Sequence, residues 1–275
     1  MKKVIVLLST YNGEKYLQEQ LQSLTKQEGV DCKILVRDDG SKDNTTAILN
    51  EWQKRGLLKW YSSTNLGCSK SFMDLLKTAE DGAYYAFCDQ DDVWLPSKLR
   101  LTMEKMAKTE EEHPGKPIII HSDMNVVDEN LNIIHNSFWK FSGLRPDLLK
   151  TFPYLCCCNG VNGCTILMNS SARSLILDKL VEQKAIIHDI FAALAVSYHN
   201  GVIDYIEEPT VLYRQHSSNV VGALQYKGLA SIKERLKNIK KVIQKNIDTY
   251  NDINKIGKIS IPNYIYHKIK YLIKR

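Results

Sequence analysis

Residues 84–94 read Y-Y-A-F-C-D-Q-D-D-V-W, an apolar and aromatic run that ends on three carboxylates, Asp89, Asp91 and Asp92. A short apolar run closed by such a polar break predicts a buried strand, Tyr84–Cys88, with the acidic group at its carboxyl end. The same punctuation occurs twice upstream. Val4–Leu8 predicts a first strand that runs into S-T-Y-N-G-E at 9–14, and Cys32–Val36 a second that runs into R-D-D-G-S at 37–41. Between these runs the apolar period changes. Tyr16, Leu17, Gln20, Leu21 and Leu24 recur at three- and four-residue spacing and predict a helix over 13–27. A second helix, capped by Ser41 or Asp43, is predicted to reach Lys54, followed by a strand at 57–61 and a third helix at 69–79. Strands that alternate with helices predict an α/β fold, a mainly parallel sheet flanked by helices. In an open parallel sheet the carboxyl ends of the strands share one edge, where ligands bind. Three polar clusters far apart in sequence therefore converge.

Working outward, a helix is predicted from Pro96 to about Thr109, with a surface break at E-E-E-H-P-G, 110–115. Strands are predicted at Ile118–His121 and Val161–Met168, helices at Ser171–Val181 and Asp189–His199, and a short strand pair at Val202–Ile206 and Val211–Arg214. From residue 225 onward Ile232, Leu236, Ile239, Val242, Ile243 and Ile247 fall at helical spacing with lysines on the other face. This divides the chain into a body, 1–224, and a basic amphipathic helical extension, 225–275.

Charge follows the same division. The net charge of +6 is not spread evenly: Lys227–Arg275 holds thirteen Lys and Arg against Glu234, Asp248 and Asp252, which leaves the body slightly acidic. The basic surplus belongs to the tail. Its lysines lack interleaved aromatic residues until Tyr250, which argues against a nucleic-acid binder. An anionic membrane surface fits the stripe and the charge together, and the alternative is a stripe packed on the body or on a second subunit of a homo-oligomer. Met1-Lys2-Lys3 precedes an apolar run too short for a signal peptide, and no run of 18 apolar residues occurs, so a cytoplasmic protein is expected. Its seven cysteines should then stay reduced. Cys156, Cys157, Cys158 and Cys164 lack paired C-x₂-C spacing, and small buried hydrophobes on a strand explain them better than zinc.

Asp89, Asp91 and Asp92 on one strand-exit loop repel one another unless a cation or hydrogen-bond donors fill the gap. Oxygen ligands suit Mn²⁺ or Mg²⁺, which also bind phosphate. The plainer reading is a solvated acidic turn that caps the next helix. In V-R-D-D-G-S-K-D-N-T, 36–45, a carboxylate at the strand end can accept hydrogen bonds from a base or a ribose, while Ser41 caps a helix. Asp189 precedes I-F-A-A-L-A-V-S-Y, where an acid is also an ordinary first-turn residue.

Taken together the segments resemble the family-2 glycosyltransferases of GT-A (Rossmann-like) fold, within them the rhamnosyltransferase-like branch. The resemblance runs through L-S-T-Y-N-G-E-K-Y-L at 8–17, D-D-G-S, N-L-G at 65–67, D-Q-D-D-V-W, N-G-C-T at 162–165, H-D at 188–189 and Y-R-Q-H-S-S-N-V-V-G at 213–222. It covers nearly the whole body in order. It implies that Thr10, Tyr11, Asn12, Glu14 and Asp38 or Asp39 bind the nucleotide, that Asp89 faces the ribose, and that Asp91 holds the Mn²⁺ or Mg²⁺. Asp189 would be the base of an inverting transfer, with His188 among the substrate-binding residues and His216, Asn65 and Lys70 near the donor. The branch implies dTDP-rhamnose as donor and a surface polysaccharide or lipid-linked glycan as acceptor. Another nucleotide sugar such as a UDP-hexose, a nucleotidyltransferase, and a non-catalytic glycan-binding module are the alternatives. A nucleotidyltransferase would need a Gly- or Lys/Arg-rich phosphate loop after the first strand, and L-S-T-Y-N-G is poor in both.

Overall fold

The computed structural model describes residues 1–180, 186–217, 222–223 and 239–274. Strands β1 (Lys3–Thr10), β2 (Asp31–Asp38), β3 (Lys59–Ser62) and β4 (Tyr84–Cys88) lie parallel in the order β3-β2-β1-β4. Helices α1 (Leu17–Leu24), α2 (Thr45–Lys54) and α3 (Cys68–Thr78) connect them. The sheet continues from β4 through three further strands to a short edge: β8 (Leu167–Met168), β6 (Ile118–Val127), β9 (Val202–Arg214) and then β5 (Val93–Trp94). β8 is antiparallel to both of its neighbours, and β7 (Ile133–His135) pairs with β6.

Alternation along β1 shows why the sheet is covered on both faces. Val4, Val6 and Leu8 join one apolar cluster with Leu17, Leu21, Trp52, Leu99 and Met106, residues of α1, α2 and α4 (Lys98–Glu112). Ile5 and Leu7 face the other way, toward Phe72, Leu76, Ile176 and Phe191 of α3, α7 (Ser170–Asp178) and α8 (His188–Tyr198). Both sets are withdrawn from water, as the uninterrupted apolar run requires of a central parallel strand.

Several elements differ from the sequence-based expectation. The first helix begins at Leu17 rather than Gly13, because Asn12 takes a left-handed φ of 49° and Gly13–Tyr16 form a turn first. The strand expected at Val161–Met168 shrinks to β8. Asn162 O accepts from Thr165 N at 3.0 Å and from Thr165 Oγ1 at 2.7 Å, which winds Gly163–Thr165 into a 3-10 turn. The expected pair of short strands is one strand, β9, parallel to β6 from Val202 opposite Ile118 to Arg214 opposite Val127. Pro209, which has no N–H to donate, falls opposite Asp123 where the register shifts, so the ladder bends there instead of ending. Cys156 is buried at the end of the short helix α6 (Phe152–Leu155), not on a strand. α5 (Phe138–Ser142) completes the insertion between β7 and α6.

The tail forms α9 (Ile239–Ile256) and α10 (Ile261–Lys274). Ile232 and Leu236 of the expected stripe lie outside the described residues, as do the side chains of Ile239, Val242 and Ile243, and Ile247 is exposed. Inward packing is made instead by Ile253, Ile256, Ile259, Tyr264 and Tyr271, all buried in the cluster that holds α3 and α8. Among the described residues no helix is long and apolar enough to cross a membrane.

Candidate active site

The carboxyl ends of β1, β2 and β4 bring the three polar clusters to one edge, and hydrogen bonds between loops fix them there. Gln90 Oε1 accepts from Thr10 Oγ1 at 2.6 Å and from Tyr11 N at 2.9 Å, which ties the first loop to the acidic one. Asn12 N donates to Ser41 Oγ at 2.8 Å, and Asn12 Oδ1 accepts from Lys42 N at 2.8 Å. Glu14 Oε2 accepts from Asn44 N at 2.8 Å and from Asn44 Nδ2 at 2.9 Å. Asn12 and Glu14 thus join the first loop to the second, while Tyr11 leaves its side chain exposed.

Asp38 and Asp39 are both buried. Asp38 accepts from Gly40 N at 3.2 Å, Ser41 N at 3.1 Å and Ser62 Oγ at 3.0 Å, with Ser41 Oγ closer still. Asp39 accepts from Leu66 N at 2.8 Å and Gly67 N at 2.9 Å and pairs with Arg37. Arg37 is itself fully buried, and its guanidinium also donates to Asp74 at 3.0 Å, Ser71 Oγ at 2.9 Å and Thr64 O at 3.0 Å. The two aspartates therefore brace the Gly40 turn and the N-L-G segment. In that segment Asn65 Oδ1 accepts from Gly67 N at 3.1 Å, and Lys70 is exposed on the first turn of α3.

The acidic loop is held from below by Arg214. Its Nε donates to Asp91 O at 2.7 Å and its Nη1 to Glu129 O at 2.5 Å, and Nη2 pairs with Glu19. Its backbone N donates to Asp92 Oδ1 at 3.0 Å, and its guanidinium covers the Tyr16 ring at 4.6 Å. Tyr16 in turn packs against the His216 ring at 4.8 Å, and His216 Nε2 lies 2.9 Å from Asp91 Oδ2. The family resemblance implies a place near the donor for His216 and no role for Arg214 or Gln90, although both sit inside its motifs. A long side chain reveals nothing of its partners until the fold supplies them.

Crowding shows in the protonation of these carboxyls. Burial, then the charges of Asp91 and Asp189, push Asp89 up to about 7. Asp92 is raised well above the carboxylate range, again first by burial. Its Oδ2 is buried without an N–H or hydroxyl donor, with the weakly donating Cys164 thiol beside it. Ligand atoms of Asp89, Asp92 and Cys164 all lie within 4.8 Å of one another. Burial also raises the Cys164 thiol, so it stays protonated and is a poor ligand. The carboxylate oxygens of Asp89 and Asp91 and the His216 imidazole suit a hard divalent ion, and Asp91 with His216 stands at the partly exposed rim.

Asp189 lies on the first turn of α8, with His188 beside it, but the two residues separate in the fold. Asp189 Oδ2 accepts from Gly163 N at 3.0 Å and Oδ1 from Ile190 N at 2.6 Å, which fixes the carboxylate at a positive helix end. His188 turns inward, stacked on Phe72 at 4.2 Å and edge-on to Phe87 at 5.0 Å, and burial lowers its pKa, so the ring is neutral. It supports the site from beneath rather than lining it. The Cys68 thiol at the start of α3 is pushed up to about 12, first by desolvation and then by the charges of Asp89, Asp189, Asp91 and Asp39.

Gly163 is the close approach in this arrangement. A Cβ there would stand 2.8 Å from His188 Nε2 and 3.6 Å from Asp189 Cβ. Gly163→Ala should displace the 162–165 turn from Asp189 and break the Gly163 N–H contact, costing about 1–3 kcal/mol of stability. An unchanged melting temperature would show that the turn absorbs the extra methyl without releasing Asp189.

Comparison with known proteins places this geometry in context. The sequence pattern of "Glycosyl transferase family 2" matches residues 5–167. A dTDP-rhamnosyl transferase of Shigella flexneri, RfbG, is 28% identical over 276 residues, covering 94% of this chain and 91% of its own. TarS 1–349 of S. aureus, solved with UDP-GlcNAc, superposes with a TM-score of 0.61 at 19% identity, over 99% of this chain and 72% of its own. A mannosyltransferase of Pyrobaculum calidifontis, PcManGT, solved with GDP-Man and Mn²⁺, superposes with a TM-score of 0.58 at 17% identity, over 98% of this chain and 69% of its own. At these identities the two structures establish likeness of fold.

Proposed function

The chain belongs to glycosyl transferase family 2, and from that premise we propose that it is an inverting, divalent-ion-assisted transferase that moves L-rhamnose from dTDP-rhamnose onto a surface polysaccharide or lipid-linked glycan. The observation that carries this reading is the gathering of Asp89, Asp91 with His216, and Asp189 at one sheet edge. The donor preference rests on the likeness to the Shigella flexneri enzyme over almost the full length of both chains.

In this reading the nucleotide lies across the loops after β1 and β2. Tyr11 and the backbone edges that Asp38, Asp39, Asn12 and Glu14 hold in place receive the base and ribose, with Thr10, Asn65 and Lys70 at the margins. Asp89 faces the ribose. Asp91, with His216, would hold Mn²⁺ or Mg²⁺, which when bound offsets the charge gathering on the departing diphosphate. Asp189 accepts the proton of the acceptor hydroxyl as its oxygen bonds to the anomeric carbon. The bond from that carbon to the diphosphate oxygen breaks on the opposite face, so configuration inverts. His188, neutral and buried, keeps Asp189 at the rim by filling the space behind it.

A UDP-hexose is the second reading, favoured by the UDP-GlcNAc held by the TarS structure. Radiolabelled dTDP-rhamnose, UDP-glucose and UDP-GlcNAc offered with bacterial membranes separate the two. Incorporation from dTDP-rhamnose above the others is the expected result, and incorporation from a UDP-sugar alone would transfer the assignment to the second reading.

A further inference from the structure

We propose that α10 docks on an anionic phospholipid surface through its outer face, a contact that does not depend on which sugar is transferred. One side of the helix is committed to the body. Tyr264 and Tyr271 are buried, Tyr271 Oη accepts from Arg145 N at 3.3 Å, and Arg145 Nη1 donates to Lys274 O at 2.7 Å. Lys268 Nζ donates to Tyr264 Oη at 2.9 Å and to Asn246 Oδ1 at 2.7 Å, and the His267 ring meets Tyr154 at 4.9 Å. α10 is therefore held in a fixed rotation about its axis.

That rotation turns a second apolar face outward. Ile261 is 56% exposed, Ile265 49%, Ile269 54%, Leu272 45% and Ile273 80%, with Tyr266 beside them at 56%. At about 100° per residue these positions fill one arc of roughly 140°, distinct from the arc of Tyr264 and Tyr271. Single exposed apolar side chains are ordinary, but six on one face of a fourteen-residue helix form a contact surface.

Charge selects the occupant. From Ile253 to Arg275 the chain carries Lys255, Lys258, Lys268, Lys270, Lys274 and Arg275 and not one Asp or Glu. Lys270 and Lys274 lie on the arc next to the apolar face. A second copy seated face to face would bring these like charges together, whereas anionic headgroups would complement them while the isoleucines enter the acyl boundary. At fourteen residues the helix lies on a bilayer and does not cross it. The segment under α10, in contact with it at Cys157, runs on to the turn whose Gly163 N holds Asp189.

Full-length protein is co-sedimented with vesicles of phosphatidylcholine alone or mixed with phosphatidylglycerol, at low and high salt, and its oligomeric state is followed by sedimentation velocity. Binding should require the anionic lipid, weaken with salt, and fall at least about tenfold in Ile265→Asp/Ile269→Asp, with no loss of melting temperature because both side chains face solvent. Lys270→Glu/Lys274→Glu should weaken binding in the same direction. The proposal is overturned if the wild type stays in the supernatant, if the Asp variant binds as well as the wild type, or if vesicles go unbound while the apolar substitutions dissociate a dimer. Donor hydrolysis in solution, which does not involve α10, reports separately on the proposed activity.

Discussion

Asp189→Asn should lower sugar transfer by roughly 10² or more, the scale of losing a general base, while donor affinity stays near that of the wild type. The base has to stand away from the leaving diphosphate, and Asp189 is delivered by α8, a different segment from the one that delivers Asp89 and Asp91. Its two oxygens already accept from Gly163 N and Ile190 N, so one lone-pair side of each remains for an incoming hydroxyl. An amide can accept at one of those N–H groups only and turns its NH₂ toward the other. The variant should therefore also lose about 1–3 kcal/mol of stability, seen as a melting temperature lower by about 2–4 °C for each kcal/mol. Steady-state kinetics with a thermal melt check both halves. A variant that transfers at nearly the wild-type rate would make Asp189 a helix-end acid and place the base elsewhere.

Asp91→Asn should cost more than any other change in the donor loops, roughly 10²–10³ in transfer, and should abolish stimulation by added Mn²⁺. Asp91 is held at both ends: its carbonyl accepts from Arg214 Nε at 2.7 Å and its carboxylate meets His216 Nε2 at 2.9 Å. The amide keeps the size and the backbone contact but removes the charge a divalent ion needs. His216→Ala should reproduce part of the loss. Excess chelator should bring the wild type down to the level of the variant and leave the variant unchanged. Full activity in chelator would remove the ion from the account.

Much of this site is legible in the sequence because its chemistry is punctuation. Carboxylates that close or follow an apolar run, as Asp38 closes β2 and Asp89 follows β4, must emerge at a strand end, and parallel strands bring their ends together. What stays hidden is the second partner of each group. The spacing R-x-D at 37–39 does not show that Arg37 folds under the sheet edge to hold Asp39, nor does H-D at 188–189 show that one residue faces the opening and the other the core. Arg214 reaches residues more than eighty positions away, and only the pairing of β9 with β6 and β5 places it under the acidic loop. The tail illustrates a different limit. Helical periodicity reports an apolar face but not what covers it, and α10 has two such faces, one against the body and one turned outward. β9 reads in the sequence as two short strands because Pro209 looks like a break unless a register shift accommodates it.

The central claim, that this sheet edge is an ion-assisted site for a nucleotide-sugar donor, is tested most directly by calorimetric titration of the protein with dTDP, UDP and GDP. Each titration is run with Mn²⁺ and again with excess chelator. The account predicts that dTDP binds most tightly and that its affinity falls at least about tenfold when the ion is removed. Absence of binding by all three nucleotides, or affinities that do not change on removing the ion, would contradict it.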